Sequence, residues 1–287
     1  MELLIGSCTL GLAYAFLALG VFITFRIFRF PDITVDGSFT LGAALLAVLL
    51  PAGVPLPLAL AAAMIAGALA GTATGLVNTR LGAGALLSGI LVMTALYSVN
   101  LRIMGPNVPL TGPLTGSAAP GTGTFLLTHL LLAAAAWGLL TLLFRTDLGL
   151  ALRAGGVNPV MLSALGGRVN VYRVAGVALA NGLTALSGAL VARYQGFADI
   201  NMGFGMIVFG LAAVFLGETA AGRRRLPVTL LGVVFGAVLF QALVSLALAS
   251  GVAPRDLKLL TAIFVLAALL LSRMVRRASD GTGEAGQ

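Results

Sequence analysis

The sequence predicts an all-α fold, a polytopic membrane helix bundle of about nine spanning segments, on the strength of three observations. Mean hydropathy is +1.08, and 59% of residues are hydrophobic. Only 9% are charged, against the ~25% usual for a soluble domain. The apolar runs do not alternate with period two, so helices fit and barrel strands do not. With this little polar surface the surrounding medium is lipid, where every backbone group must be paired internally.

The apolar segments fall near residues 3–25, 37–50, 56–77, 84–104, 125–144, 172–193, 203–217, 227–249 and 257–272. The first lacks a basic stretch before it and reads as a retained helix stopped by Arg26 and Arg29. Segments 37–50 and 203–217 are short for a ~30 Å hydrocarbon core, so they must be broken, tilted or shielded. Residues 1–277 are expected to form a single transmembrane domain, and 278–287 a polar, disordered cytoplasmic tail. Thirty-eight glycines suit close helix packing, and Gly67, Gly71 and Gly75 share one helix face. Whether that face packs within the chain or between copies stays open.

Basic residues set the orientation. With the N-terminus outside and strict alternation, thirteen fall inside: Arg26, Arg29, Arg80, Arg145, Arg153, Arg168, Arg173, Arg223, Arg224, Arg225, Arg273, Arg276 and Arg277. Outside are Arg102, Arg193, Arg255 and Lys258. This places the C-terminus in the cytoplasm. The net charge of +8 does not point to nucleic acid, because the arginines sit at segment ends rather than in one patch.

Two loops are long. Residues 105–124 lie outside and are rich in Gly, Pro and Thr. Residues 145–171 lie inside and read as two short amphipathic helices, interrupted by Gly155-Gly156 and Asn158-Pro159. An internal echo links FPDITVDG at 30–37 with FADINMG at 197–203. Each follows a long helix and precedes a short segment, in opposite membrane directions. That is the pattern of an inverted repeat, which marks the route in many transporters.

Few carboxylates lie at or near membrane depth, and one at the bilayer centre costs at least ~2.5 kcal/mol. Asp32, Asp36 and Asp199 belong to the two echoing motifs, with Ser38 and Asn201 beside them. They are candidates for the substrate path, with Asp36-Gly37-Ser38 expected to break its helix. The alternative for Asp32 and Asp36 is capping of the second helix, and for Asp199 a place in water at the outer interface. Asn181, in the middle of the sixth segment, is a further candidate for the substrate path and is expected to hydrogen-bond a neighbouring helix. Glu218 reads as a surface charge beside Arg223, Arg224 and Arg225. His129 has no cysteine or carboxylate cluster near it in sequence, Trp137 reads as packing, and Cys8 is the single cysteine, so no metal site is expected.

No catalytic constellation is present. Ser, His and acid do not fall at a recognised spacing, and HExxH is absent. The only lysine, Lys258, follows Leu257, which rules out a phosphate-binding G-K-[ST]. Any ATP and Mg²⁺ would therefore be bound by another chain.

The inner loop carries Gly149-Leu150-Ala151-Leu152-Arg153-Ala154, then Asn158-Pro159, then a helix with Ser187-Gly188-Ala189-Leu190. This run resembles the permease subunits of type II ABC importers of the branched-chain amino acid and ribose type. Asp32, Ile33, Thr34, Val35 and Gly37 are similar to their D-[LI]-[ST]-V-x-G motif. The FPDITVDGS phrase looks nearest to permeases paired with tryptophan- or tyrosine-binding lipoproteins. Two departures from the ribose type stand out: there is no extra N-terminal helix, and the acidic, glycine-rich ending of the ribose motif is missing, which argues against a sugar.

The resemblance, covering about residues 10–275, implies a dimeric permease in a bacterial inner membrane. Two ATP-binding subunits would dock beneath it, and a periplasmic or lipid-anchored binding protein would deliver a small solute, an aromatic amino acid in preference. It also implies that Arg153, Asn158, Pro159, Met161 and Leu165 of the inner loop engage the ATPase. Two other classes remain. One is a stand-alone carrier driven by protons through Asp32, Asp36 or Asp199. The other is a scaffold or membrane enzyme, ranked last for want of catalytic residues.

Overall fold

The computed structural model describes residues 2–110, 122–222, 225–252, 256, 259 and 261–267. Arg223, Arg224, Arg255, Lys258 and the three arginines from 273 on lie outside the described residues, as do residues 111–121 and the tail at 278–287. The helices are α1 (Glu2–Val21), α2 (Thr34–Leu49), α3 (Leu56–Arg80), α4 (Ala85–Met104), α5 (Thr122–Leu143), α6 (Asp147–Val157), α7 (Pro159–Ala164), α8 (Val169–Gln195), α9 (Met206–Ala221) and α10 (Leu226–Ala249). Residues 261–267 are also helical. Among the described residues six helices are long and apolar enough to cross a membrane, while α2 and α9 have 16 residues each. The all-helical expectation is departed from once. Strands β1 (Asn107–Pro109) and β2 (Phe197–Asp199) pair antiparallel, with Asn107 opposite Asp199.

Helix α1 is the axis of the core. Its residues from Leu12 to Val21 are almost all buried, among side chains of α8, α9 and α10. It ends in a π-helical stretch, Phe22–Ile27, in which Phe28 N–H reaches back five residues to Ile23 O at 3.1 Å. Thr24 lies within this stretch, and its hydroxyl donates to Val21 O at 3.2 Å. Such wide turns occur mostly as single insertions, frequently at functional sites. Arg29 then takes φ 52°, the left-handed region that costs a side-chain-bearing residue energy, and the chain turns back into the bundle.

The two short helices are half-length elements that begin inside the bundle. Tyr14, midway along α1, packs on Phe39 of α2 (ring centroids 6.1 Å apart) and on Phe209 of α9 (4.5 Å). Both helices therefore start near the mid-height of α1. They diverge from there. Helix α2 runs toward β2 and the end of α8, with Leu46 and Ala47 beside Ala192 and Ala198. Helix α9 runs the other way, and Glu218 in its last turn meets Arg26 at 2.6 Å. The sequence placed Glu218 with the arginines that follow it; in the fold its partner comes from the end of the first helix.

The Asp36-Gly37-Ser38 break is not found. Helix α2 runs unbroken through all three residues, and the interruption lies earlier, at residues 28–33. The Gly155-Gly156 interruption is likewise absent, since α6 continues to Val157. Gly156 is needed for contact rather than for turning: a Cβ there would meet the Ile27 carbonyl.

The glycine stripe of α3 packs within the chain, against α8. Added Cβ atoms at Gly67, Gly71 and Gly75 would meet the Asn181 carbonyl, the Val177 carbonyl and Val174 Cα. Removing the stripe should therefore cost the α3–α8 contact. Gly71→Ala is expected to destabilise the chain by ~1–3 kcal/mol through overpacking. Gly138→Ala, where a Cβ would meet nothing within 4 Å, is expected to stabilise by ~0.5–1 kcal/mol. Thermal unfolding of the purified chain in detergent checks both, and equal effects would refute the assignment.

Candidate functional site

Where the short helices begin, polar side chains gather in an otherwise apolar interior. Asp32, 2% exposed, precedes α2, and its Oδ1 accepts from Thr34 N–H at 2.9 Å. Its Oδ2 accepts from Asn181 Nδ2 at 2.6 Å. Asn181 lies twelve residues into α8, or about 18 Å along it at 1.5 Å per residue. Its Oδ1 accepts from Ser38 Oγ at 2.7 Å, and its second amide hydrogen goes to Val177 O at 3.0 Å. Thr34 and Thr74 hydroxyls meet at 2.7 Å and tie in α3. Asp32, Ser38 and Asn181 thus form one network, satisfied by neighbouring side chains and backbone.

Asp36 does something else. It sits in the first turn of α2, yet its carboxylate caps another helix. Oδ2 accepts from Gly205 N–H and Oδ1 from Ile207 N–H, each at 2.9 Å, at the start of α9. The donors are backbone groups that a helix start leaves unpaired, and the dipole of α9 favours an anion there. Charge-assisted bonds of this kind contribute ~1.5–3 kcal/mol each, enough together to offset the insertion cost of a mid-membrane carboxylate. The capping alternative raised by the sequence thus applies to both aspartates in altered form: Asp32 bonds the first turn of α2, and Asp36 caps α9.

Asp199 and Asn201 do not join this network. Asp199 lies in β2, and its Oδ1 accepts from Asn201 N–H at 2.7 Å in an exposed turn. Their neighbours Ile200 and Phe204 reach the centre instead. With Asp36, Gly37, Thr40, Met93, Tyr97 and Asn100 they line a small open-mouthed pocket with about 20 Å³ of enclosed space. Thr40, Met93, Tyr97, Asn100 and Phe204 were missed by sequence reasoning. Asn100 carried a signal: a lone amide inside the apolar run of α4, of the same kind that singled out Asn181.

At the far end of the bundle, the α5–α8 connection forms the two-helix element expected. The Thr146 hydroxyl caps α6 by accepting from Gly149 N–H at 3.3 Å. Asn158 Oδ1 caps α7 by accepting from Met161 N–H at 3.0 Å, and Pro159 follows at the first helical position. Leu152 and Leu162 are buried, while Arg153, Asn158, Pro159, Met161 and Leu165 are all exposed. Val157 and Val160 are over two-thirds exposed beside them, so the outward face is apolar with one cation.

Elsewhere, buried His129 donates its Nδ1–H to Phe125 O at 2.8 Å and stacks on Phe125. Arg193 lies over the same ring at 4.8 Å. Trp137 Nε1 donates to Pro227 O at 2.9 Å, fastening α5 to α10. No group of three metal-binding side chains occurs among the described residues.

Apolar membrane-length helices, two half-length helices meeting at a buried carboxylate, and an exposed helix pair at one end define a multi-pass membrane transport component. Residues 3–271 match the family described as "Branched-chain amino acid transport system / permease component", and the chain belongs to that family, the ABC permeases its inner loop resembles. The family is a transport component and not a catalytic one. The chain is 37% identical over 273 residues to a tyrosine transport system permease protein of Clostridioides difficile, covering 94% of this chain and 91% of that one. It is 35% identical over 274 residues to an uncharacterized protein of Rickettsia prowazekii, covering 94% and 97%. In fold it is similar to PsaBC from Streptococcus pneumoniae, solved in complex with Fab, with TM-score 0.54, 16% identity, and 93% and 89% of the two chains covered.

The Asp32 network should be vulnerable at its hub. Asn181→Leu removes the donor to a buried carboxylate and is expected to cost at least ~1–3 kcal/mol, read as a lower melting midpoint and reduced yield of folded chain. Asn201→Ala, in the exposed turn, should stay within about 0.5 kcal/mol of the parent. Equal losses in both would contradict the network.

Proposed function

We propose that this chain is the membrane-spanning subunit of an ATP-driven importer for an amino acid, with an aromatic one, tyrosine, as preferred cargo. The capped helix pair α6–α7 carries this reading, because an exposed apolar face with one arginine is suited to docking an ATPase. Family membership and the tyrosine permease relative of C. difficile support it. ATP and Mg²⁺ bind on that partner ATPase. A periplasmic or lipid-anchored binding protein supplies the solute on the opposite side. Two copies of this chain, or one and a close relative, enclose the path in a bacterial inner membrane. The chain crosses nine times, N-terminus outside and C-terminus in the cytoplasm, with the 30–37 and 197–203 motifs as counterparts in an inverted repeat. The opposite directions of α2 and α9 support that symmetry.

The proposed coupling follows the packing. Helix α6 rests on the Ile27–Phe28 reversal through Gly156, and five residues beyond Ile27 stands Asp32. Displacement of α6 by the ATPase would tilt the start of α2 and with it the Asp36 cap on α9. The path then opens or closes where the two short helices meet. A proton-driven carrier using Asp32 or Asp36 is the competing reading.

Uptake of tyrosine into vesicles holding the permease, its ATPase and its binding protein decides between them. With ATP present and an uncoupler added, uptake should persist; its loss while ATP remains would favour the proton-driven carrier.

Arg153→Glu and Asn158→Asp are expected to abolish most ATP-driven uptake and weaken co-purification of the ATPase. Asp is as good a helix cap as Asn, so the Asn158 variant should melt normally. Undiminished uptake by both would remove α6–α7 from the coupling role.

A further inference from the structure

The pocket beside Asp36 contains an unfulfilled acceptor. Asn100 is 1% exposed. Its Nδ2 donates to Gly37 O at 3.1 Å, which fixes the orientation of the amide, because a carbonyl can only accept. Its Oδ1 is left buried with no hydrogen-bond partner. Leaving such a group unpaired costs ~1–3 kcal/mol, and buried polar atoms without partners are few. Asn100 lines the pocket, and so do Asp36 and Thr40. The Asp36 oxygens each accept one backbone hydrogen, and a carboxylate oxygen has capacity for a second. The Thr40 hydroxyl spends its hydrogen on Asp36 O at 3.2 Å and presents lone pairs. Among the described residues, no Lys, Arg or His belongs to the lining.

Asn100, Thr40 and Asp36 thus present acceptors to the pocket, Asp36 as a carboxylate, and the Tyr97 hydroxyl can donate or accept. That chemistry suits a head rich in donors and positively charged. The rest is apolar or aromatic: Met93, Ile200, and Tyr97 tilted 42° to Phe204 with centroids 6.3 Å apart. Tyr97 and Phe204 are about two-fifths exposed, so their rings are available to a guest. The enclosed space is only about 20 Å³, room for one water-sized group such as an ammonium head, so the rest of a guest must lie outside it against the exposed rings. The one anion-attracting element nearby, the start of α9, is already occupied by Asp36.

We propose that this pocket is a way-station for the cargo, in which Asn100 Oδ1 and the Asp36 carboxylate receive a primary ammonium group and Tyr97 and Phe204 hold an aromatic tail. This rests on the transport reading above and adds to it the end of the molecule that is recognised inside the membrane. An ammonium has three donors and so satisfies the orphaned amide oxygen while its charge is balanced by Asp36. A solute with only a carboxylate would face the Asp36 carboxylate and the Asn100 acceptor, with the Tyr97 hydroxyl as its side-chain donor.

The test uses the full chain in lipid nanodiscs with its ATPase, followed by thermal shift with three probes. Tyrosine has both groups, tyramine keeps the ammonium without the carboxylate, and desaminotyrosine keeps the carboxylate without the ammonium. Tyrosine and tyramine should raise the melting midpoint in proportion to occupancy, and desaminotyrosine should not. Asn100→Leu should weaken tyramine at least tenfold, about 1.4 kcal/mol, and Asn100→Asp should keep it bound. Equal shifts from tyramine and desaminotyrosine, no shift from tyramine, or unchanged tyramine affinity in Asn100→Leu would each overturn the assignment. The probe comparison is made on the unsubstituted chain, so it stands even where a variant folds poorly. If ATP-driven tyrosine uptake persists while the probes fail to discriminate, only the ammonium site falls. If uptake itself is absent, the transport reading falls.

Discussion

The organising constraint is a negative charge held at mid-height in a bundle that lipid surrounds. A carboxylate there must find donors, and few groups in an apolar interior can donate except the backbone at a helix start. Asp36 takes two N–H groups from the first turn of α9. For those to be within reach, α9 has to begin inside the bundle, and so does α2, which carries Asp36. The half-length helices, the reversal at residues 28–33 and the wide turns ending α1 all follow from that requirement. Asp36 thus joins two elements that share little other contact and run apart from a common point.

Asp32 shows a second solution to the same problem. Its donors are a local backbone N–H and the amide of Asn181, and that amide is available because α8 lies close on several sides. The closeness comes from small residues, above all the α3 glycine stripe, which lets backbone approach backbone around Asn181. Packing and polar satisfaction are one device here: Gly42 of α2 against the Ala185 carbonyl and Gly188 of α8 against the Phe39 carbonyl bring α2 and α8 together backbone to backbone, which keeps Asn181 within reach of Asp32 and Ser38.

How much of this was legible in the sequence depended on the range of the signal. Helix positions followed from hydropathy, since membrane thickness imposes a length on apolar runs. The α6–α7 pair followed from Asn158-Pro159, a strong local boundary. Two glycine readings failed because sequence shows that a glycine is present but not whether it is there for a turn or for contact. Gly155-Gly156 and Gly37 sit inside continuous helices, and Gly156 is required by a carbonyl 129 positions earlier in the chain. The same limit governed the acidic residues. Asp32 and Asp199 occupy matching places in the two echoing motifs, but one is bonded by Asn181, 149 positions away, and the other closes a local turn. A carboxylate in an apolar context announces that it has a partner, not where the partner is. Asn100 was visible on the same grounds as Asn181, a lone amide in an apolar run.

The chain of contacts from the exposed helix pair to the pocket is short enough to be mechanical. Gly156 of α6 lies on the Ile27 carbonyl, and the Phe28 ring lies on Gly176 of α8. Four residues after Phe28 comes Asp32, bonded to α8, and four more bring Asp36, bonded to α9. The links are covalent, close packing contacts or buried hydrogen bonds, so the path from α6 to α9 is short. The weakest joint is the Asp36 cap itself, which is made of hydrogen bonds rather than interlocked side chains and faces a pocket on one side. A displacement entering at α6 therefore has its effect concentrated at that joint. The group that would part from α9 is the same group that lines the pocket. Holding the two half-helices together and presenting charge to the pocket are consequently alternatives for one carboxylate, and a bundle built this way couples its closure to what the pocket contains.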